Sequence, residues 1–597
     1  MKIYRYDINL EKEVFDIISV NTIKKMVYVD DGIEIPYFSI TAIDRNYGYL
    51  GPGIDSITFE ILENKYQIFY NGNIYINADE KVNNLLVKNG IVKKYNVDYS
   101  NYPDAEHIDL KGQSAYPGFN DSHVHLMETS PFFVLGIDMT KCFDAECMAE
   151  AIKKRVDPTK SNQLIVGVGF SLEDYDKWNL QDLKKIDDAA GDNFVFIGDK
   201  LGHNVLVNSR TLQLCGITDT AQAPLGGKII AENGLLTGML RESATALAGN
   251  VIFKMIGKDV IKQTSLNMFN RWASIGYTGV VDLMGSVAGR MMTPEIAIQL
   301  EQEGKLPVRM MYCYTFYDLN EIDSALKYKQ PEYNTDMVRF IGDKLFVDGA
   351  YAAGQAWTSW ENKQGNNGLY YVYPGDKYGE KYNLNRIVQK LEDNNLNCHY
   401  HIQGDQGIEN LLNALDSVKA KNGEIKCIHT IIHCAFPTGQ QIERMKGFDG
   451  KVVLTMQPGF WEVEDSLEYY YGDKNFDAYP VKELIDAGLS VGFSTDFTVS
   501  PIDYTPAAKV IGIATTGGGN PEHHTPLTVR DMVHGFSYGS YATTGANDLG
   551  KLEIGYKADM VVFENDLFKI NATDFTKDYP KVTSIWIGGR LTYLLKK

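Results

Sequence analysis

Pro117-Gly118-Phe119-Asn120-Asp121-Ser122-His123-Val124-His125 closes a short apolar run that reads as a β-strand. Residues two apart on a strand point to the same side, so His123 and His125 can present both imidazoles to one ion. Taken alone the pair is weak evidence, because histidine is common and the spacing is permissive. Two polar residues ending a strand for no chemical reason is the commoner reading at this point. The rest of the chain decides between them.

Eight short, β-branched apolar runs alternate with helical patterns, at 115–121, 277–283, 307–314, 338–347, 396–401, 427–433, 452–456 and 490–495. This alternation predicts parallel βα units closed into a (β/α)8 barrel. Near the ends of later runs stand Lys344 (in Asp343-Lys344-Leu345-Phe346-Val347-Asp348-Gly349), His401 (in His399-Tyr400-His401-Ile402-Gln403-Gly404-Asp405), His433 and Asp496. Barrel enzymes build their sites where the strands end, so the first, fourth, fifth, sixth and eighth strands would converge there. His399 shares a strand face with His401 and is a candidate for orienting a ligand through a hydrogen bond. His429, His523 and His524 are expected to be structural or solvated.

Outward from the barrel, assigned to 115–130 plus 266–545, the interval 131–265 is far longer than one helix needs and carries strand-like runs at Leu164-Ile165-Val166-Gly167 and Phe194-Val195-Phe196-Ile197. It is expected as an inserted subdomain over the barrel mouth. Hairpin and turn signals in 67–114 and 546–597, such as Asn89-Gly90 and Gly588-Gly589, suggest one composite β-sandwich built from both flanks. Residues 1–66 alternate apolar and polar positions and read as a β-rich extension of unassigned role.

The chain has 597 residues, enough for several domains, and a formal charge of −19, which repels phosphate backbones and anionic membranes. Nucleic acid and membranes are therefore not expected as partners. No run approaches the roughly 18 apolar residues of a membrane span, and the start lacks a signal-peptide pattern, so the expected location is cytoplasmic. Seven scattered cysteines without CxxC pairing read as buried thiols in a reducing compartment. The run Gly517-Gly518-Gly519 lacks the GK[ST] ending of a phosphate loop. Tyrosine clusters at Tyr469-Tyr470-Tyr471 and Tyr370-Tyr371-Val372-Tyr373 could line an aromatic pocket, but such residues more often fill cores.

The order PGF-x-D-x-HxH, K-x-F-x-DG, H-x-x-GD, a later strand-end His, Gln457-Pro458 and S-x-D resembles the amidohydrolase superfamily, in particular its amidohydrolase-3 group. Gly202-His203, Leu236-Thr237-Gly238-Met239-Leu240 with Glu242, and the turn Gly555-x-x-Ala558-Asp559 belong to the same resemblance, which runs from about Ile68 to Arg590. It implies metal-dependent hydrolysis of a C–N bond in a small molecule. His123, His125, His401, His433 and Asp496 would be ligands of a divalent metal, zinc foremost, as one or two ions. Lys344 would match a lysine that can be carbamylated to bridge two metals. Asn120, Ser494-Thr495, Gln403 and Ala350 depart from the usual pattern without removing a ligand, and bear on the shape of the substrate pocket.

On this reading Asp496 shuttles a proton between water and the leaving nitrogen, His203 binds the developing oxyanion, and Glu242 contacts substrate. A homodimer is the expected assembly. A barrel that binds metal without catalysis is the competing reading, as are a deaminase or an isomerase on the same scaffold. The full complement of candidate ligands argues against an inactive barrel.

Overall fold

The computed structural model describes residues 66–595 other than 173, 201, 285–293, 463–467, 498, 501 and 578, together with five short strands between Lys2 and Asp44. Those five strands pair antiparallel in a sheet of their own.

Eight parallel strands form the barrel: β1 (Asn120–Val124), β2 (Gly279–Met284), β3 (Arg309–Thr315), β4 (Val338–Phe346), β5 (Cys398–Ile402), β6 (His429–His433), β7 (Val452–Met456) and β8 (Val491–Phe493). Each pairs with the next, and a parallel bridge between Val124 and Phe497 brings the last back to the first. Every residue of β1, β3, β5, β6 and β7 is buried, as in parallel sheets covered on both faces, so these strands lack the apolar-in, polar-out alternation of a half-exposed sheet.

One strand assignment needs correction. The run at 115–121 is not a single strand: Ser114–Pro117 pairs with Met560–Phe563 and with Asn73 and Ile74 in a different sheet, and the barrel begins only at Asn120. The break falls on Pro117-Gly118. A Cβ on Gly118 would lie 2.3 Å from Thr278 Oγ1, so only glycine passes this crowded junction, where its N–H donates to the Asp559 carbonyl at 2.8 Å.

The strands from both flanks share one sheet, in the order Arg590–Leu594, Val582–Ile587, Met560–Phe563, Ser114–Pro117, Tyr66–Tyr75, Lys81–Lys88, Ile91–Tyr95, with Glu106–Asp109 beside Tyr66–Tyr75. A further six-stranded sheet lies between β1 and β2, running from Ile137–Asp138 through Leu164–Phe170, Phe194–Asp199, Asn204–Val207 and Leu235–Arg241 to Lys228–Glu232. It has its own apolar core, including Met148, Ile152, Ile165, Val195, Ile197, Leu206 and Met239.

The cysteine reading also changes. Cys142 and Cys147, five residues apart in this inserted part, are joined by a disulfide, whereas Cys313, Cys398, Cys427 and Cys434 are buried thiols and Cys215 a half-buried one. Two cysteines flanking one short loop carry none of the spacing by which a pair is recognised in sequence. Among the described residues no helix is long and apolar enough to cross a membrane.

Arg309, at the start of β3, ties the barrel to the flanking sheet. It is 1% exposed, and its Nε and Nη2 donate to the two oxygens of Asp559, while Nη1 donates to the Asp336 carbonyl at 2.8 Å. Asp559 also accepts the Gly588 N–H at 2.7 Å. A buried bidentate pair of this kind is strongly destabilising to break, because the partner stays behind as an uncompensated charge. Asp559→Ala should therefore lower stability by about 3–5 kcal/mol in denaturant unfolding, and Arg309→Met with Asp559→Leu should recover much of the loss. Equal stability of wild type and Asp559→Ala would show that the pair does not clamp the two parts together.

Candidate metal centre

Barrel geometry carries the side chains that end β1, β4, β5, β6 and β8 to one mouth. His123 Nε2 lies 3.0 Å from Asp496 Oδ1, His125 Nε2 lies 3.9 Å from the same oxygen, and His433 Nε2 lies 4.0 Å from Asp496 Oδ2. His123, His125 and Asp496 each offer a ligand atom, all within 4.8 Å of one another. His401 Nδ1 faces His433 Nε2 at 3.2 Å. Two nitrogens bound to one tetrahedral ion at about 2.0–2.1 Å would stand a little over 3 Å apart, so this spacing suits a shared ion.

Burial sets the charge state here. It pulls the imidazoles of His123 and His401 well below the ordinary histidine range, and His433 and His399 down to about 3, so all four are neutral donors near pH 7. Burial likewise lowers Lys344 to about 7. Lys344 finds no partner in its neighbouring acids. Both oxygens of Asp343 are buried without a hydrogen-bond partner among the described residues, and burial holds that group well above the usual carboxylate range. Asp348 spends its oxygens on the N–H groups of Gln403 and Gly404 at 2.9 and 2.7 Å.

Several residues unmarked by the sequence reading support the centre. Glu128 Oε1 lies 2.8 Å from His125 Nδ1, three residues on; that i, i+3 spacing of an acid after HxH was the available signal. Asp121 is fully buried and accepts from Trp272 Nε1 at 3.0 Å and from the Thr495 N–H and Oγ1 at 2.8 and 2.7 Å, locking the turn that carries Asp496 to β1. Gln457 accepts from His433 Nδ1 at 2.8 Å.

The inserted part contributes His203 and Glu242. His203 Nδ1 is 2.6 Å from Glu242 Oε2, which also accepts from Tyr371 Oη at 2.6 Å. Burial pulls the His203 pKa down, but the adjacent Glu242 carboxylate more than offsets it, and the imidazole ends above its ordinary value; burial raises Glu242, and His203 brings it below its own. The rings of His203 and His401 are 5.7 Å apart, so this pair stands over the barrel residues.

All the candidate side chains, His123, His125, His203, Glu242, Lys344, His401, His433 and Asp496, line one cavity of about 850 Å³. Its walls are rich in aromatics. Tyr371, Tyr469 and Tyr470 from the tyrosine clusters face it, whereas Tyr471 stacks on Tyr351 and Tyr370 packs against Trp357 and Tyr378. The clusters thus divide between pocket and core. His399 turns to the Thr543 carbonyl at 3.1 Å rather than to a candidate ligand. His429 bridges Tyr400 and Glu392, and His523 and His524 stack on Phe476 and Trp461, all away from the cavity.

Residues 106–593 match the profile of the amidohydrolase family. YtcJ of Bacillus subtilis, whose name places it among amidohydrolases, is 25% identical over 532 residues, covering 84% of this chain and 95% of its own. The N-substituted formamide deformylase of Arthrobacter pascens is 23% identical and covers 78% of this chain and 86% of its own. In fold, an uncharacterized metal-dependent hydrolase from Pyrococcus horikoshii superposes with a TM-score of 0.67 at 23% identity, covering 85% of this chain and 99% of its own. With its barrel, its His-His-Asp group and a family match that spans most of its length, the chain belongs to the amidohydrolase family and is a hydrolase.

Proposed function

We propose that the protein hydrolyses a C–N bond of a small molecule, an amide, formamide or cyclic amide, at a divalent metal centre, with zinc the ion that neutral imidazoles and a carboxylate suit best. The observation that carries the reading is the gathering of His123, His125 and Asp496 within 4.8 Å on the floor of a cavity that His203 and Glu242 also line. The residues fit an ion on their own terms. His123 Nε2 faces Asp496 Oδ1 and His401 Nδ1 faces His433 Nε2, and burial holds His123 and His401 neutral, the form a ligand needs. The names of the relatives, an amidohydrolase and a formamide deformylase, favour the C–N bond.

His123, His125, His401, His433 and Asp496 would hold the metal. When bound there, it supplies a Lewis acid that lowers the pKa of water from about 15.7 toward about 7 and polarises a carbonyl. Asp496 Oδ2, farther from its neighbours than Oδ1, takes the water proton and returns it to the leaving nitrogen. His203, whose protonated form the Glu242 carboxylate favours, presents Nε2–H to the substrate carbonyl oxygen and stabilises the charge that develops on it. Tyr371 fixes Glu242 in turn. The aromatic walls exclude water and hold the apolar part of the substrate.

Lys344 has a neutral amine fraction near pH 7, the form that adds carbon dioxide to give a carbamate able to bridge two ions. Protein prepared with 13C-bicarbonate and zinc should show a carbamate carbon by NMR and bind about two ions per chain. Lys344→Ala should lose the signal and bind fewer ions. No carbamate carbon in the zinc-loaded wild type would leave a centre without the bridge.

Replacing His203 with Asn, or Glu242 with Gln, should lower kcat/KM by about 10²-fold or more at unchanged metal content, as loss of an oxyanion donor does. A loss of metal in either variant, or full activity in both, would remove the pair from the chemistry.

Asp496→Asn keeps size and some coordinating ability but removes the base. kcat should fall by about 10²- to 10⁴-fold while the fold survives. If metal and activity fall together, Asp496 is chiefly a ligand; near-normal kcat with full metal would assign proton transfer to another group.

A further inference from the structure

The seventh strand brings no ionisable group to the cavity floor, yet Gln457, just beyond β7, joins the strands on either side of it. Its side chain is fully buried. Nε2 donates to Ser494 Oγ at 2.8 Å and to the Thr455 carbonyl at 3.3 Å, so both amide protons are used and Oε1 is left facing His433 Nδ1 at 2.8 Å. A carbonyl oxygen can only accept. A neutral imidazole has a single N–H, which must therefore sit on Nδ1, leaving the lone pair on Nε2. That lone pair faces His401 Nδ1 at 3.2 Å and Asp496 Oδ2 at 4.0 Å, the side on which the cavity floor lies.

We infer that Gln457 is a positioning residue of the metal centre proposed above: it fixes His433 as the Nδ1–H tautomer with Nε2 toward the ion, and through Ser494 it braces the turn that carries Asp496. The orientation of its amide is not free to reverse. Turning it over would set Oε1 against the Thr455 carbonyl, an acceptor pair, so that carbonyl holds Nε2 on its own side and leaves Oε1 toward the imidazole. One buried amide thereby couples ligand candidates on β6 and after β8 without touching the ion, as outer partners of metal-binding histidines commonly do. Because the inference rests on the metal-centre reading, its test must separate the two.

The experiment compares Zn²⁺ affinity, by competition with a chromophoric chelator, and the visible absorption of Co²⁺-loaded protein in wild type, Gln457→Leu, Gln457→Glu and His433→Ala. Gln457→Leu should bind zinc about 10- to 100-fold more weakly with an altered Co²⁺ spectrum, while its metal-free thermal midpoint stays near wild type. Gln457→Glu, which keeps an acceptor for Nδ1–H, should restore most of the affinity. His433→Ala should lose more than either. Unchanged affinity and spectrum in Gln457→Leu, with binding weakened in His433→Ala, overturns the role of Gln457 alone. Equal metal binding by wild type and His433→Ala overturns the reading of His433 as a ligand and this inference with it. Should Gln457→Leu fail to fold, Gln457→Met and Ser494→Ala take its place, and unchanged affinity in both overturns the inference.

Discussion

Taking ionisable groups out of water is the constraint on which this architecture turns. His123, Lys344, His401, His433 and Asp496 are each less than 5% exposed, crowded at the end of an apolar barrel. An isolated charge in such a place would cost many kcal/mol, so the groups either give up their charge or share it. The imidazoles give it up. The same desolvation that makes them poor bases in the proton sense leaves their lone pairs available, and a divalent ion is the partner whose charge offsets the burial of Asp496 among them. Above them the Glu242 carboxylate lies against His203 and favours the charge that the imidazoles below give up.

That contrast separates two kinds of work. Neutral nitrogens from rigid, wholly buried strands suit the holding of an ion at fixed distances. The imidazole whose protonated form is favoured comes from the inserted part, where Asp199 accepts the N–H groups of His203 and Asn204 at 3.0 Å and the Glu242 N–H donates to the His203 carbonyl at 2.7 Å. The scaffold and the cover thus supply different charges to the same cavity. Substitutions on the insert can alter what is bound while the floor stays as it is.

How much of this was legible in sequence depended on whether a signal was local. HxH at a strand end, and Lys344, His401, His433 and Asp496 at the ends of later apolar runs, could be read because strand period and barrel position are both sequence patterns. The run at 115–121 misled because apolar character does not say which sheet a strand joins; Pro117 and Gly118 were the cue, and a close approach to Thr278 the reason. The antiparallel strands of the insert beyond Leu164 and Phe194 alternate too briefly to stand out. Gln457 stands in the Gln457-Pro458 pair after an apolar run, but its bond to His433 spans 24 residues and its bond to Ser494 spans 37, and no spacing rule connects them. The tyrosine clusters were ambiguous for a physical reason: within one run, Tyr371 faces the cavity and Tyr370 does not.

The backbone adds the last step. Glu242, His433, Cys434 and Asp496 all have positive φ, at 52°, 76°, 48° and 49°, a region that residues with side chains enter at some expense, of order 1–3 kcal/mol each. Glycine would relax these positions but would remove a side chain that lines the cavity at three of them. The strain persists because neighbouring strands hold each turn: the Cys434 N–H donates to the Ile402 carbonyl at 2.9 Å, tying the end of β6 to β5, and the Asp496 N–H donates to the His123 carbonyl at 3.0 Å, tying the end of β8 to β1. An extended backbone at His433 or Asp496 would continue the strand and send alternate side chains in and out. The left-handed turn instead leaves the ladder at the point where the side chain must face its partners, so strain at these positions and convergence of the candidate ligands have one cause.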